Sequence, residues 1–142
     1  KPMYPEADIP VVQLSLSILQ PGAWHYDIAK QLAPLRDEGV LVVGSGNIVH
    51  NLRLWRQNMA EPYDWAQRFD EDIADRIADG HHEGMLGYET LGPDALMAIP
   101  TPEHYLPLLY VLALQRDDEP VSFFNDSVAS SISMRSVLVG DA

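Results

Sequence analysis

Val40-Leu41-Val42-Val43-Gly44-Ser45-Gly46-Asn47-Ile48-Val49-His50-Asn51-Leu52 is the stretch that decides how this chain is read. Its first four residues form a short apolar, β-branched run, the pattern of a buried strand. The run ends in a loop hinged by two glycines and carrying a histidine. Small residues let a ligand approach the backbone, and a rigid strand holds such a loop in place. His50 is therefore a candidate site residue. Imidazole is the usual acid or base near neutral pH and a frequent metal ligand. Asn47 and Asn51 offer hydrogen bonds that could fix that imidazole or hold a substrate oxygen. Against this stands the plain alternative of a solvated loop histidine, at about even odds from position alone.

Working outward, residues 9–17 are rich in Val and Leu and read as another buried strand. Pro21-Gly22 marks a turn. Trp24, Ile28, Leu32 and Leu35 then recur at helical spacing, with Pro34 expected to kink or shorten the helix and Gly39 to stop it. Strand, helix, strand in that order predicts a right-handed crossover and a mainly parallel sheet. Residues 62–79 read as an amphipathic helix. Trp65, Phe69, Ile73 and Ile77 lie on one face, and Asp64, Asp70, Glu71, Asp72, Asp75 and Asp79 lie on a solvated one. Residues 80–100 read as loop with one short helix. Residues 102–115 should be helical, with Pro102 in the first turn; Pro107 would be interior unless the helix starts later. Residues 121–125 and 132–139 are the last strand candidates. The expected fold class is α/β, with a mostly parallel or mixed central sheet flanked by helices.

Composition narrows the functions. The chain has 142 residues, 46% hydrophobic and 21% charged, enough for one domain with a real core. A formal net charge of −12 argues against non-specific binding to nucleic acid or to an anionic membrane surface. With no cysteine there is no disulfide, no thiolate nucleophile and no Cys-type zinc site, which fits a reducing, cytoplasmic setting. No stretch of about 18 apolar residues reads as a membrane span. The chain begins with Lys, and a fragment of a larger domain is expected.

The second candidate is His104, in Pro100-Thr101-Pro102-Glu103-His104-Tyr105-Leu106-Pro107-Leu108. Thr101 is a plausible helix N-cap, and a helix start can hold a site residue. Glu103 is an adjacent carboxylate. The bland alternative, a capped helix start with an exposed histidine, has odds of about two in three. His81-His82-Glu83 is a dense donor cluster without the i, i+4 pairing of a helical zinc motif, so a solvated turn is expected. His25 should pack at a helix edge. Ser45 does not match a nucleophile elbow.

At these residues the chain resembles a known family. Met3-Tyr4-Pro5-Glu6-Ala7-Asp8-Ile9-Pro10-Val11-Val12-Gln13-Leu14-Ser15, Leu35-Arg36-Asp37-Glu38-Gly39-Val40 and Ser45-Gly46-Asn47-Ile48-Val49-His50-Asn51-Leu52 are three of the matching segments. Pro62-Tyr63-Asp64-Trp65-Ala66 and the segment from Thr101 to Tyr110 complete them, in family order. Together they look like the C-terminal half of the class III, LigB-type extradiol ring-cleavage dioxygenases, in the DOPA 4,5-dioxygenase branch. The resemblance implies that residues 1–142 are the C-terminal part of one LigB-like catalytic domain. It implies a non-haem metal enzyme that opens a catechol ring beside its two hydroxyls with dioxygen. Fe(II) would be needed for activity, with Zn(II) possible in purified protein. Carried over, His50 is the acid/base over the substrate and a possible metal contact, and His104 is a metal ligand. Other class III members use a glutamate there, which keeps Glu103 in view. Ser45, Asn47 and Asn51 would stand behind these groups. Two further histidine ligands would come from an N-terminal half that this chain does not contain. Two alternatives remain: a non-catalytic binding or scaffold protein on the same fold, and a metal-dependent hydrolase.

Overall fold

The computed structural model describes residues 5–56 and 61–141; Met3 and Tyr4 of the first matching segment lie outside them. Among the described residues, five α-helices and two small two-stranded antiparallel sheets surround one core. Helix α1 spans Gly22–Lys30 and α2 spans Ala33–Asp37. They are separate because Pro34 sits in the first turn of α2, where its missing N–H costs nothing, and the chain must restart there. The buried residues of α1 are Gly22, His25 and Ala29, while Trp24 is exposed. The expected Trp24–Ile28 stripe is thus rotated from the face that packs. The reason is the close approach of α1 to its neighbours: a Cβ on Gly22 would stand 2.3 Å from the Leu86 carbonyl oxygen. Small residues belong on that face.

Helix α3, Asp64–Ala78, is the amphipathic helix expected. Phe69, Ile73 and Ile77 are buried on one side. Each such side chain contributes about 1.5–3 kcal/mol on leaving water. Two short 3₁₀ turns, His82–Met85 and Tyr88–Thr90, lead to α4, Pro93–Ala98. A 3₁₀ turn at Pro102–His104 precedes α5, Leu106–Ala113. The later start places Pro107 in the first turn of α5 rather than its interior. Helix α5 packs on α1, and α3 packs on α4.

Strands β1 (Val121–Phe124) and β4 (Ser136–Val139) pair antiparallel, as do β2 (Val128–Ala129) and β3 (Ile132–Ser133). The expected strands at residues 9–17 and 40–43 do not form, and with them goes the parallel crossover. Neither segment joins a ladder among the described residues. A strand needs neighbours to satisfy its N–H and C=O groups and cover its side chains. Here Val12 is left 91% exposed and Val43 70% exposed. An open trough of about 690 Å³ runs between residues 40–46, α5 and β4, with His104 on its wall.

Candidate functional site

The segment from Gly44 to Asn51 is stitched between two walls. On one side the His50 N–H donates to the Ala98 carbonyl and the Asn47 N–H donates to the His104 carbonyl, both at 2.9 Å. On the other side the Ser133 N–H donates to the Val49 carbonyl, the Asn51 N–H donates to the Ser131 carbonyl, and His50 bridges to Ile132. Gly46 is required by space. A Cβ there would lie 2.0 Å from the His104 carbonyl oxygen, a distance no real side chain tolerates.

This stitching brings the two candidate histidines together. The His50 and His104 rings stack with centroids 3.6 Å apart and planes 16° from parallel. Both rings are half-buried. Burial lowers the pKa of His50, and the neighbouring His104 lowers it further, while Glu103 partly offsets both. A neutral His50 is a proton acceptor at pH 7. The stack also limits coordination. Imidazole lone pairs lie in the ring plane, with metal–nitrogen distances of about 2.0–2.1 Å. One ion cannot lie close to both of two parallel planes 3.6 Å apart. As built, the pair can present one ligand and one free imidazole.

Other sequence expectations fare differently. The Asn47 and Asn51 side chains do not point amides at an imidazole. Asn47 Nδ2 donates to the Ser133 carbonyl and Asn51 Nδ2 donates to the Met97 carbonyl, each at 2.7 Å. Backbone carbonyls of the adjoining loops are nearer and need donors. Ser45 is exposed. Thr101 makes no side-chain cap; its hydroxyl donates instead to the Glu103 carboxylate. That bond helps hold the Glu103 pKa below the ordinary carboxylate value. His82 is buried, not solvated: its Nδ1 shares a hydrogen bond with the Tyr26 hydroxyl at 3.1 Å, and burial lowers its pKa. His25 is fully buried, between the Tyr110 hydroxyl and the Ser17 carbonyl. Each of these last two has a core partner from another element, which a linear pattern does not display.

Sequence reasoning missed one group altogether. Asp70, expected on the solvated face of α3, is 1% exposed. It accepts from Ser133 Oγ and from Arg135 Nε, with Arg135 Nη2 at 2.7 Å. Its position beside Phe69 and Ile73 on the inward face was the available signal.

Among the described residues no three His, Cys, Asp or Glu side chains converge to hold an ion. His104 and His50 are donors of the right chemistry, but they make only part of a site.

Comparison with known proteins agrees with this architecture. The family model described as the catalytic LigB subunit of aromatic ring-opening dioxygenase matches residues 1–137. The chain is 42% identical over 146 residues to a 4,5-DOPA dioxygenase extradiol of Escherichia coli K12, covering 97% of this chain and 52% of that one. A 4,5-DOPA dioxygenase extradiol of Beta vulgaris is 37% identical over 125 residues, covering 88% of this chain and 47% of that one. The crystal structure of an uncharacterized protein from Escherichia coli K12 superposes with a TM-score of 0.85 at 42% identity, covering 95% of this chain and 57% of that one. This chain belongs to the LigB family of aromatic ring-opening dioxygenases, and its fold is LigB-like. It spans about half the length of the curated relatives it matches.

Proposed function

We propose that this chain is the C-terminal part of a LigB-like catalytic domain that opens a catechol ring, DOPA or a simple relative, by extradiol cleavage with dioxygen. The observation that carries the reading is the stacked His50–His104 pair, held inside the two motifs that define the family resemblance.

In this reading His104 supplies one metal ligand and the remaining part of the protein supplies the others. The unmatched half of the relatives supports that division. Fe(II) is the metal of turnover, with Zn(II) an occupant the imidazole would also accept. The metal, held in part by His104, would supply the Lewis acidity and open coordination positions that such a reaction needs. His50 does the proton work. Of its two readings, direct ligand and proton carrier, the stack favours the second, because two nearly parallel rings 3.6 Å apart would direct their in-plane lone pairs to different points. A neutral His50 takes a proton from a catechol hydroxyl and returns one as the ring opens. Its N–H···O=C tie to Ala98 and its bridge to Ile132 keep the backbone beneath that ring still. A Cys-free chain suits the cytoplasm; no helix among the described residues is long and apolar enough to cross a membrane.

The test is oxygen uptake by the purified protein after anaerobic Fe(II) loading, with DOPA or catechol. Uptake with a ring-opened product is expected. His50→Ala should lower turnover by about 10²–10⁴-fold with metal retained, whereas His104→Ala should lose the metal. Uptake indifferent to His50→Ala would overturn the assignment. No uptake in metal-loaded protein would favour a non-catalytic binding role.

A further inference from the structure

We infer that Asn47 is the positioning residue that sets the spacing of the two histidines, anchored through Ser133 to the buried Asp70–Arg135 pair. The inference rests on the site reading above but not on its chemistry.

Asn47, like Asn51, grips both walls of the site, and it is Asn47 that does so at His104. Its backbone N–H holds the carbonyl of His104 itself, at 2.9 Å. Its side-chain Nδ2 holds the Ser133 carbonyl at 2.7 Å. Ser133 in turn holds His50 from the other direction: its N–H donates to the Val49 carbonyl, one residue before His50, and its neighbour Ile132 bridges to His50. His104 and His50 are thus tied to each other through Asn47 and Ser133, by bonds made to backbone groups.

The other end of the tie is rigid. Ser133 is fully buried, and its Oγ donates to Asp70 Oδ1 and accepts the Arg135 N–H. Asp70 also binds the Arg135 guanidinium. A buried, fully partnered ion pair fixes geometry even where it adds little net stability. Without Nδ2 of Asn47 the Ser133 carbonyl loses that donor, and Asn47 keeps only its backbone tie to His104. The His104 end of the loop would then have no direct tie through Asn47 to β3, and the ring separation would rest on the bonds at Val49, His50 and Asn51 alone.

The chemistry of the side chain is specific. The tie needs a short donor, so Asn47→Asp, of the same size, places a carboxylate against a carbonyl and should break it. Asn47→Ala removes it. Groups that orient metal ligands from behind typically change affinity or activity by about 10–100-fold.

The experiment compares wild type, Asn47→Asp and Asn47→Ala by NMR of the histidine ring protons, assigned with His50→Ala and His104→Ala. In wild type, stacking should shift the His50 and His104 ring protons upfield through each other's ring current. Both Asn47 variants should lose that shift while the His25 resonances stay in place. In the loaded enzyme, turnover should fall about 10–100-fold with less change in the catechol KM. If Asn47→Ala does not fold, Asn47→Asp, which keeps the side-chain volume, decides the matter. Upfield shifts retained in the folded variants would overturn the inference. Wild type with stacked rings but no turnover would count against the dioxygenase reading alone and leave the positioning role intact.

Discussion

Replacing Asp70 by Ala should be among the most destabilising single changes on helix α3, although its neighbours Glu71 and Asp75 are exposed acids. Asp70 is 1% exposed, and the Arg135 side chain is 13% exposed. Three donors converge on the carboxylate: Ser133 Oγ, Arg135 Nε and Arg135 Nη2. Removing one member of a buried pair leaves the other charge unpaired, at a cost of about 3–5 kcal/mol. Arg135 retains some access to water and lies over the Phe123 ring, so the lower end of that range is expected. Against a total stability of about 5–15 kcal/mol this is a large share. The assay is urea unfolding followed by circular dichroism. With a slope of about 1–3 kcal/mol per molar urea, the midpoint should fall by roughly 1–3 M. Asp72→Ala is the control, because its i, i+4 pair with Arg76 is half exposed and worth only about 0.3–0.5 kcal/mol. Combining Asp70→Ala with Arg135→Ala should cost less than the sum of the two. If Asp70→Ala costs no more than Asp72→Ala, the buried pair does not anchor β3 and the argument built on it fails.

Two other outcomes are expected. Ile73→Ala, at a fully buried position of α3, should cost about 2–5 kcal/mol through lost burial and the cavity left behind, again read from urea midpoints. Glu119 is gripped by the Arg36 guanidinium and the Arg116 N–H, with Arg36 holding its pKa down to about 2. Its folded value is depressed, so its contribution is fully present above the ordinary carboxylate value of 4.5 and disappears as pH falls towards about 2. The stability difference between wild type and Glu119→Gln should therefore be nearly constant from about pH 5 to about pH 7, above the ordinary carboxylate range, and shrink steadily below that window; a difference that grows on acidification would contradict the pairing.

Local patterns carried much of the architecture. The 3.6-residue spacing of Phe69, Ile73 and Ile77 specifies α3 because a helix satisfies its own backbone and needs only one face covered. Pro34 and Pro107 mark helix starts by a purely local effect, the missing N–H. The motifs around His50 and His104 disclosed the family, and the comparison with known proteins agrees. The apolar runs at residues 9–17 and 40–43 were equally visible, yet they form no strand, because a strand is completed by neighbours that a local pattern cannot supply. Helical position alone put Asp70 on the side of Phe69 and Ile73, but only tertiary structure supplied the Ser133 and Arg135 partners that allow it to be buried. Tertiary structure alone turned the amides of Asn47 and Asn51 onto backbone carbonyls and placed His82 against Tyr26. It also stacked His50 on His104, because ring separation is set by hydrogen bonds between loops far apart in the chain.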